Sequence, residues 1–192
     1  MKIEVFEGKD EQEVLERALN ELNTSEEETL HFVTKEKVGL LKKEVVSVHI
    51  AKLEDVAVYI KEYLNDIVTD MGLEVSFETK IREQQITVKM YSNNNKILIG
   101  KNGQTLQALT TVVKQKIYNE LGQYPYLILD VENYKEKQVK YLERLAKNVA
   151  REVAKTKVEV ELENMNSYER RIVHNALTGM PHIKTESSGF GK

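Results

Sequence analysis

The sequence predicts an α+β protein built from three successive modules. Three observations carry that prediction. Apolar residues at helical spacing alternate along the chain with short runs in which apolar and polar residues alternate one by one. Capping residues and glycines stand where those runs begin and end. Charge, finally, is unevenly placed: residues 1–52 hold 12 acidic and 8 basic side chains, residues 53–132 hold 11 and 8, and residues 133–192 hold 8 and 12. A net charge of −3 therefore conceals a basic final module, the expected landing place for any polyanion.

Residues 1–52 read as a small β-α-β-β module. KIEVF is a strand, and DEQEVLERALNELN places Val14, Leu15, Ala18, Leu19 and Leu22 on one helical face behind an Asp10/Glu13 capping pair. LHFVTK and VVSVHI are strands joined by KVGLLKK. His31 and His49 belong to these strands and suggest no chemistry. A flexible joint is expected near Ile50 to Glu54.

Residues 53–132 begin with the helix LEDVAVYIKEYLNDIVTDMG, whose Val56, Ile60, Tyr63, Leu64 and Ile67 form an apolar face and whose Gly72 suits a C-terminal cap. EVSFETK and QITVKMY are alternating strands, with Val75, Phe77, Ile86, Val88 and Met90 on one side. ILI then leads into the loop GKNG, and a helix from about Gln104 to Leu121 buries Leu106, Leu109, Val113 and Ile117 before Gly122 ends it. YLILDV is the last strand. The order is α-β-β-α-α-β if ILI and its neighbourhood form the helix that leads into the loop.

Residues 133–192 form an α/β unit. It comprises a long helix from Tyr134 to Thr156, a strand KVEVELE, a helix from Ser167 to Thr178 opened by the pair Asn166/Glu169, and a last strand HIKTES after Gly179 and Pro181.

Cysteine is absent, so no disulfide, thiol nucleophile or Cys-based metal centre is available, which fits a reducing compartment. No run approaches the roughly 18 apolar residues of a membrane span, and MKIEVFEGKD lacks the apolar core of a signal peptide. A cytoplasmic location is expected, with no cofactor and no metal.

GKNG admits two readings. Asn-Gly favours a type I′ hairpin turn, but the eighteen residues that follow are helical in pattern rather than alternating. A glycine-flanked loop that opens a helix can instead hold a phosphate, through close backbone approach and the free N–H groups of the helix's first turn. Lys101 adds a full positive charge there. The loop has neither the Ser/Thr nor the upstream glycine of a Walker A motif. Its place in an α-β-β-α-α-β module resembles the KH domain, in which a Gly-x-x-Gly loop clamps about four nucleotides of single-stranded nucleic acid. On that resemblance Gly100, Lys101, Asn102 and Gly103 are the clamp. Ile97, Ile99, Leu106 and Leu109 are candidates for the floor of a base-binding groove, some of them serving as core.

In the long helix Lys137, Lys140, Arg144, Lys147, Arg151 and Lys155 fall within an arc of roughly 80° at about 100° per residue. Val139, Leu142, Ala146, Val149 and Val153 lie opposite, and Glu143 and Glu152 are expected off the basic stripe. Such a stripe can be an ordinary solvated face. One sign of charge along it favours phosphate contact. In YERRIVHNAL, Arg170 and His174 share a helical face with Arg171 beside them, and a guanidinium and an imidazole so placed can hold one phosphate. This Arg-x-x-x-His spacing resembles the small single-stranded nucleic-acid-binding domain named for it.

IGKNGQTLQALT, DVENYKEK and ERRIVHNAL, in this order of modules, resemble the Jag family, also called the SpoIIIJ-associated or KhpB family, of bacterial RNA-binding proteins. The resemblance implies an N-terminal Jag module, a KH domain and an Arg-x-x-x-His domain, binding single-stranded RNA or single-stranded DNA. It also implies an RNA chaperone or post-transcriptional regulator linked to cell shape and peptidoglycan homeostasis. A smaller single-KH protein, a second copy of the chain and a SpoIIIJ/YidC-type membrane insertase are the partners it suggests. The family's Gly-rich aromatic turn is reduced here to KVGLLKKE, and its final basic-then-apolar strand would follow the histidine helix, where this sequence stops at GFGK. An adaptor that docks an insertase, with RNA binding secondary, is the alternative. A hydrolase using His174 with Glu169 or His182 lacks any HExxH, nucleophile elbow or convergent carboxylate pair, so no enzyme is expected.

Overall fold

The structure, a computed structural model, describes residues 1–38 and 43–188. The chain divides into two compact units, Met1–Glu132 and Asn133–Lys192.

The first unit opens with β1 (Glu4–Gly8), α1 (Glu11–Leu22), β2 (Thr29–Val38) and β3 (Lys43–Lys52). Asp10 starts α1 as expected, its carboxylate accepting the N–H groups of Gln12 and Glu13. The three strands form an antiparallel sheet in the order β1-β3-β2. One face of β3 carries Val48 and Ile50 onto Val14 and Ala18 of α1. Most of the expected turn KVGLLKK lies outside the described residues.

Next come α2 (Leu53–Asp70), β4 (Val75–Arg82), β5 (Gln85–Ser92), α3 (Asn95–Ile99), α4 (Gln104–Leu121) and β6 (Tyr126–Val131). This is the expected α-β-β-α-α-β order. β5 is central, antiparallel to β4 and parallel to β6. A parallel pair needs a crossover connection, and α3, the GKNG loop and α4 supply it. Ile86, Val88 and Met90 of β5 are fully buried. So are Val56, Ile60 and Leu64 of α2, and Val113 of α4.

The joint expected near Ile50 to Glu54 is not a joint. β3 ends at Lys52, α2 begins at Leu53, and Ile50, Ala51 and Leu53 are all buried. A second contact ties the same two parts together. Gly122 ends α4 in the left-handed conformation at φ +83°, and a Cβ placed on it would lie 2.5 Å from the ring of Phe32 on β2. Glycine is thus required there twice, for its backbone and for the space.

The second unit contains α5 (Tyr134–Thr156) and α6 (Ser167–Leu177). They pack through Leu142, Ala146 and Ala150 against Val173 and Leu177. The strands expected at KVEVELE and HIKTES are not formed among the described residues. Residues 157–163 alternate in sequence but not in burial: all except Leu162 are exposed, Val158 and Val160 at 62% and 42%. Alternation identifies a segment able to be a strand, whereas a strand forms only where a neighbour offers a ladder.

Gly122→Ala is expected to destabilise the first unit by about 1–3 kcal/mol, from backbone strain and from the clash with Phe32. Pairing it with Phe32→Ala in a denaturant double-mutant cycle should recover the steric part, leaving the backbone part.

Candidate nucleic-acid interface

α3 ends at Ile99, and the chain turns into α4 within four residues. Gly100, Asn102 and Gly103 all have positive φ, at +71°, +51° and +78°. An L-residue at Gly100 would drive its Cβ into Thr105 Oγ1 and to 2.8 Å from the Thr105 backbone nitrogen. Asn102 is the one non-glycine residue of the loop in the left-handed region, which asparagine tolerates better than most residues. The loop is therefore no type I′ hairpin turn, since it joins two helices. Lys101 and Asn102 stand exposed at its tip. No side chain caps α4; the N–H of Gln104 donates to the Lys101 carbonyl and that of Gly103 to the Gly100 carbonyl, and the next N–H groups of the first turn have no side-chain acceptor.

The candidate groove residues divide. Leu106 and Leu109 are core, at 4% and 6% exposure, together with fully buried Leu98. Ile97 is 43% exposed and Ile99 is half-buried. Only the two isoleucines remain available beside the loop.

On α5, Lys137, Lys140, Arg144, Lys147, Arg151 and Lys155 are all exposed. Lys140, Arg144, Lys147 and Arg151 line a shallow hollow together with Asn148 and Glu143. Glu143 thus joins the surface from which it was expected to stand apart. Glu136 pairs with Lys140 at 2.6 Å and holds that ammonium above its ordinary pKa, chiefly through their hydrogen bond. The stripe is basic with an acidic margin.

The expected capping box of α6 is present. Asn166 Oδ1 accepts the N–H of Glu169, and Glu169 Oε2 accepts the N–H of Asn166, both at 3.0 Å. Glu169 is 5% exposed, and its other oxygen accepts a hydrogen bond from Gln138 of α5 at 3.2 Å. One carboxylate thereby fixes the start of α6 against α5. Burial, reinforced by the charge of Glu169, raises the pKa of the Tyr134 phenol.

Arg170 and His174 each have partners of their own. Arg170 donates to the Met165 carbonyl at 3.1 Å and to Ser167 Oγ at 3.2 Å, bracing the turn before α6. His174 Nδ1 lies 2.5 Å from Thr185 Oγ1, and its Nε2 lies 3.4 Å from Ser187 Oγ. Arg171 is exposed. The sequence reading missed Gln138, Thr105, Thr185 and Ser187, because no periodicity or motif marks them; only the folded chain brings them to the site.

Residues 57–128 match the family model described as "KhpA/KhpB, KH domain", and residues 140–192 match the model of the domain named for its Arg-x-x-x-His spacing. Across 184 residues the chain is 36% identical to "RNA-binding protein KhpB" of Clostridium symbiosum, covering 93% of this chain and 82% of that one. The chain belongs to the KhpB family. The KhpB protein of Bacillus subtilis is 32% identical over 193 residues, covering 96% of this chain and 92% of its own. A KhpB protein from Lactiplantibacillus plantarum is 30% identical over 128 residues, 67% of this chain and 40% of the relative. The matched KH segment contains the GKNG loop, and the other matched segment contains Arg170, Arg171 and His174.

Glu169→Ala should lower the stability of the second unit by roughly 1–3 kcal/mol, because it removes a cap and leaves Gln138 without its acceptor. Glu169→Gln should cost less. Chemical denaturation of both variants checks the order.

Proposed function

We propose that this KhpB-family chain binds single-stranded RNA without catalysing a reaction, using the GKNG loop as a backbone clamp and the basic surface of α5 and α6 for further phosphates. The observation that carries the proposal is the loop itself: three positive-φ residues, an exposed lysine and a helix start that no side chain caps, at one point. That combination offers an anion N–H groups, a helix dipole and an ammonium together. The names of the relatives, RNA-binding proteins all, support the same reading.

Charge divides the work. The clamp belongs to a unit with a surplus of seven acidic side chains, so its attraction for phosphate is short-ranged and local. Long-range attraction falls to the basic second unit, through Lys140, Arg144, Lys147, Arg151 and Arg171. A hydrolytic role for Glu169 and His174 is disfavoured by their bonds. Glu169 is committed to Asn166 and Gln138, and both nitrogens of His174 face hydroxyl groups.

Family resemblance extends the proposal to an RNA chaperone or post-transcriptional regulator acting in cell shape and peptidoglycan homeostasis. It also names a smaller single-KH protein and a SpoIIIJ/YidC-type insertase as partners. No helix among the described residues is long and apolar enough to cross a membrane, so contact with an insertase would be made from outside the bilayer by these residues.

Lys101→Asp combined with Asn102→Asp should weaken single-stranded RNA binding by roughly a hundred-fold or more, since it places two negative charges where a phosphate sits. Binding at wild-type strength in a fluorescence titration, with the fold intact by circular dichroism, would end the clamp reading. Arg144→Ala and Lys147→Ala should each reduce the slope of log affinity against log salt by about 0.7, one phosphate contact to a single strand.

A further inference from the structure

After α6 the chain reverses and returns along the helix. Gly179 and His182 take positive φ, at +80° and +64°, on either side of the turn. The returning segment then alternates: Ile183 and Thr185 are half-buried, whereas Lys184 and Glu186 are exposed and pair with each other. Ile183 packs against the core between α5 and α6, which fixes the segment's register. Two residues on, Thr185 reaches His174 Nδ1 at 2.5 Å, and two further on Ser187 lies 3.4 Å from Nε2. The alternation that failed to make a strand here lines two hydroxyls along one imidazole.

We infer that Thr185 is a positioning residue that orients the His174 ring for phosphate, and that Ser187 marks the place a phosphate oxygen takes. The inference rests on the RNA-binding function proposed above. A phosphate oxygen only accepts hydrogen bonds at a backbone diester, so the nitrogen facing it must carry a proton. A carbonyl or carboxylate at Nδ1 would draw the single proton of a neutral imidazole to Nδ1 and leave Nε2 bare. A threonine hydroxyl can donate to Nδ1 instead, which leaves the proton on Nε2. In the protonated ring the same hydroxyl turns and accepts from Nδ1–H, and Nε2–H still points outward. With Thr185 donating to the neutral ring, as inferred, Nε2 is a donor in both charge states. The two contacts differ in the way this division requires. Thr185 is half-buried and close, a lasting hold, and Ser187 is exposed and 0.9 Å farther from its nitrogen, a contact that a stronger acceptor can replace.

Nitrogen NMR of the full chain reads the tautomer of His174 directly, without RNA. In wild type the neutral ring should be protonated mainly at Nε2. Thr185→Val, nearly isosteric, should move population to the Nδ1-protonated form, and Thr185→Ser should restore it. With a random-sequence single-stranded RNA pool as probe, Thr185→Val should bind about five-fold more weakly, the worth of one oriented hydrogen bond. Ser187→Ala should bind at least as well as wild type. An unchanged tautomer in Thr185→Val, or weakening by Ser187→Ala equal to that of Thr185→Val, overturns the inference. Failure of the function itself would look different: wild-type protein would bind no RNA, and the tautomer would still decide whether Thr185 orients the ring.

Discussion

The turn between α3 and α4 leaves no room for a side chain at Gly100. Thr105 fills the space a Cβ would need, its hydroxyl crowding that position. This close packing holds a loop whose backbone is mostly in the left-handed region, and such a loop would open if its neighbours did not fix it. Everything proposed for the first unit depends on it. The sheet and α2 supply a buried frame, α3 and α4 are the two ends of the crossover, and together they hold Lys101, Asn102 and a helix start that no side chain caps at one place.

The second unit solves a different problem with longer-range means. Its helices are joined by a small core and by Glu169, which caps α6 and receives Gln138 from α5. With the apolar sides of both helices turned inward, the basic stripe of α5 faces solvent. Glu136 and Glu143 border that stripe, so it attracts a polyanion less strongly than its count of lysines and arginines suggests. Arg170 braces the turn before α6 and His174 is held by the returning chain. Arg144, Lys147 and Arg171 are then, among the described residues of this surface, the side chains best placed to take the phosphates proposed for it.

Local rules made most of the frame legible in the sequence. Period and caps located the long helices, and the buried faces of α2, α4 and α5 were largely those the spacing indicated. The GKNG loop was legible too, because glycines, a lysine and a following helical pattern coincide there. What escaped was whatever depends on a partner distant in sequence. Phe32 seated on Gly122 turned an expected joint at Ile50 to Glu54 into a continuous unit. KVEVELE had the pattern of a strand, but no ladder forms on it among the described residues. Leu106 and Leu109, read both as the buried face of α4 and as groove candidates, are core, as their helical spacing indicated. Thr185 and Ser187 belong to no motif, and the turn at Gly179 and His182 alone brings them to His174.

The central claim is that backbone N–H groups of the GKNG loop and of the first turn of α4 receive an RNA phosphate. Amide chemical-shift mapping of isotope-labelled protein titrated with single-stranded RNA at moderate salt tests it most directly. The account predicts the largest amide shifts from Gly100 to Leu106, saturating together with those on α5 and α6. Saturating shifts confined to the second unit, with the amides of Gly100 to Leu106 unmoved, would contradict it.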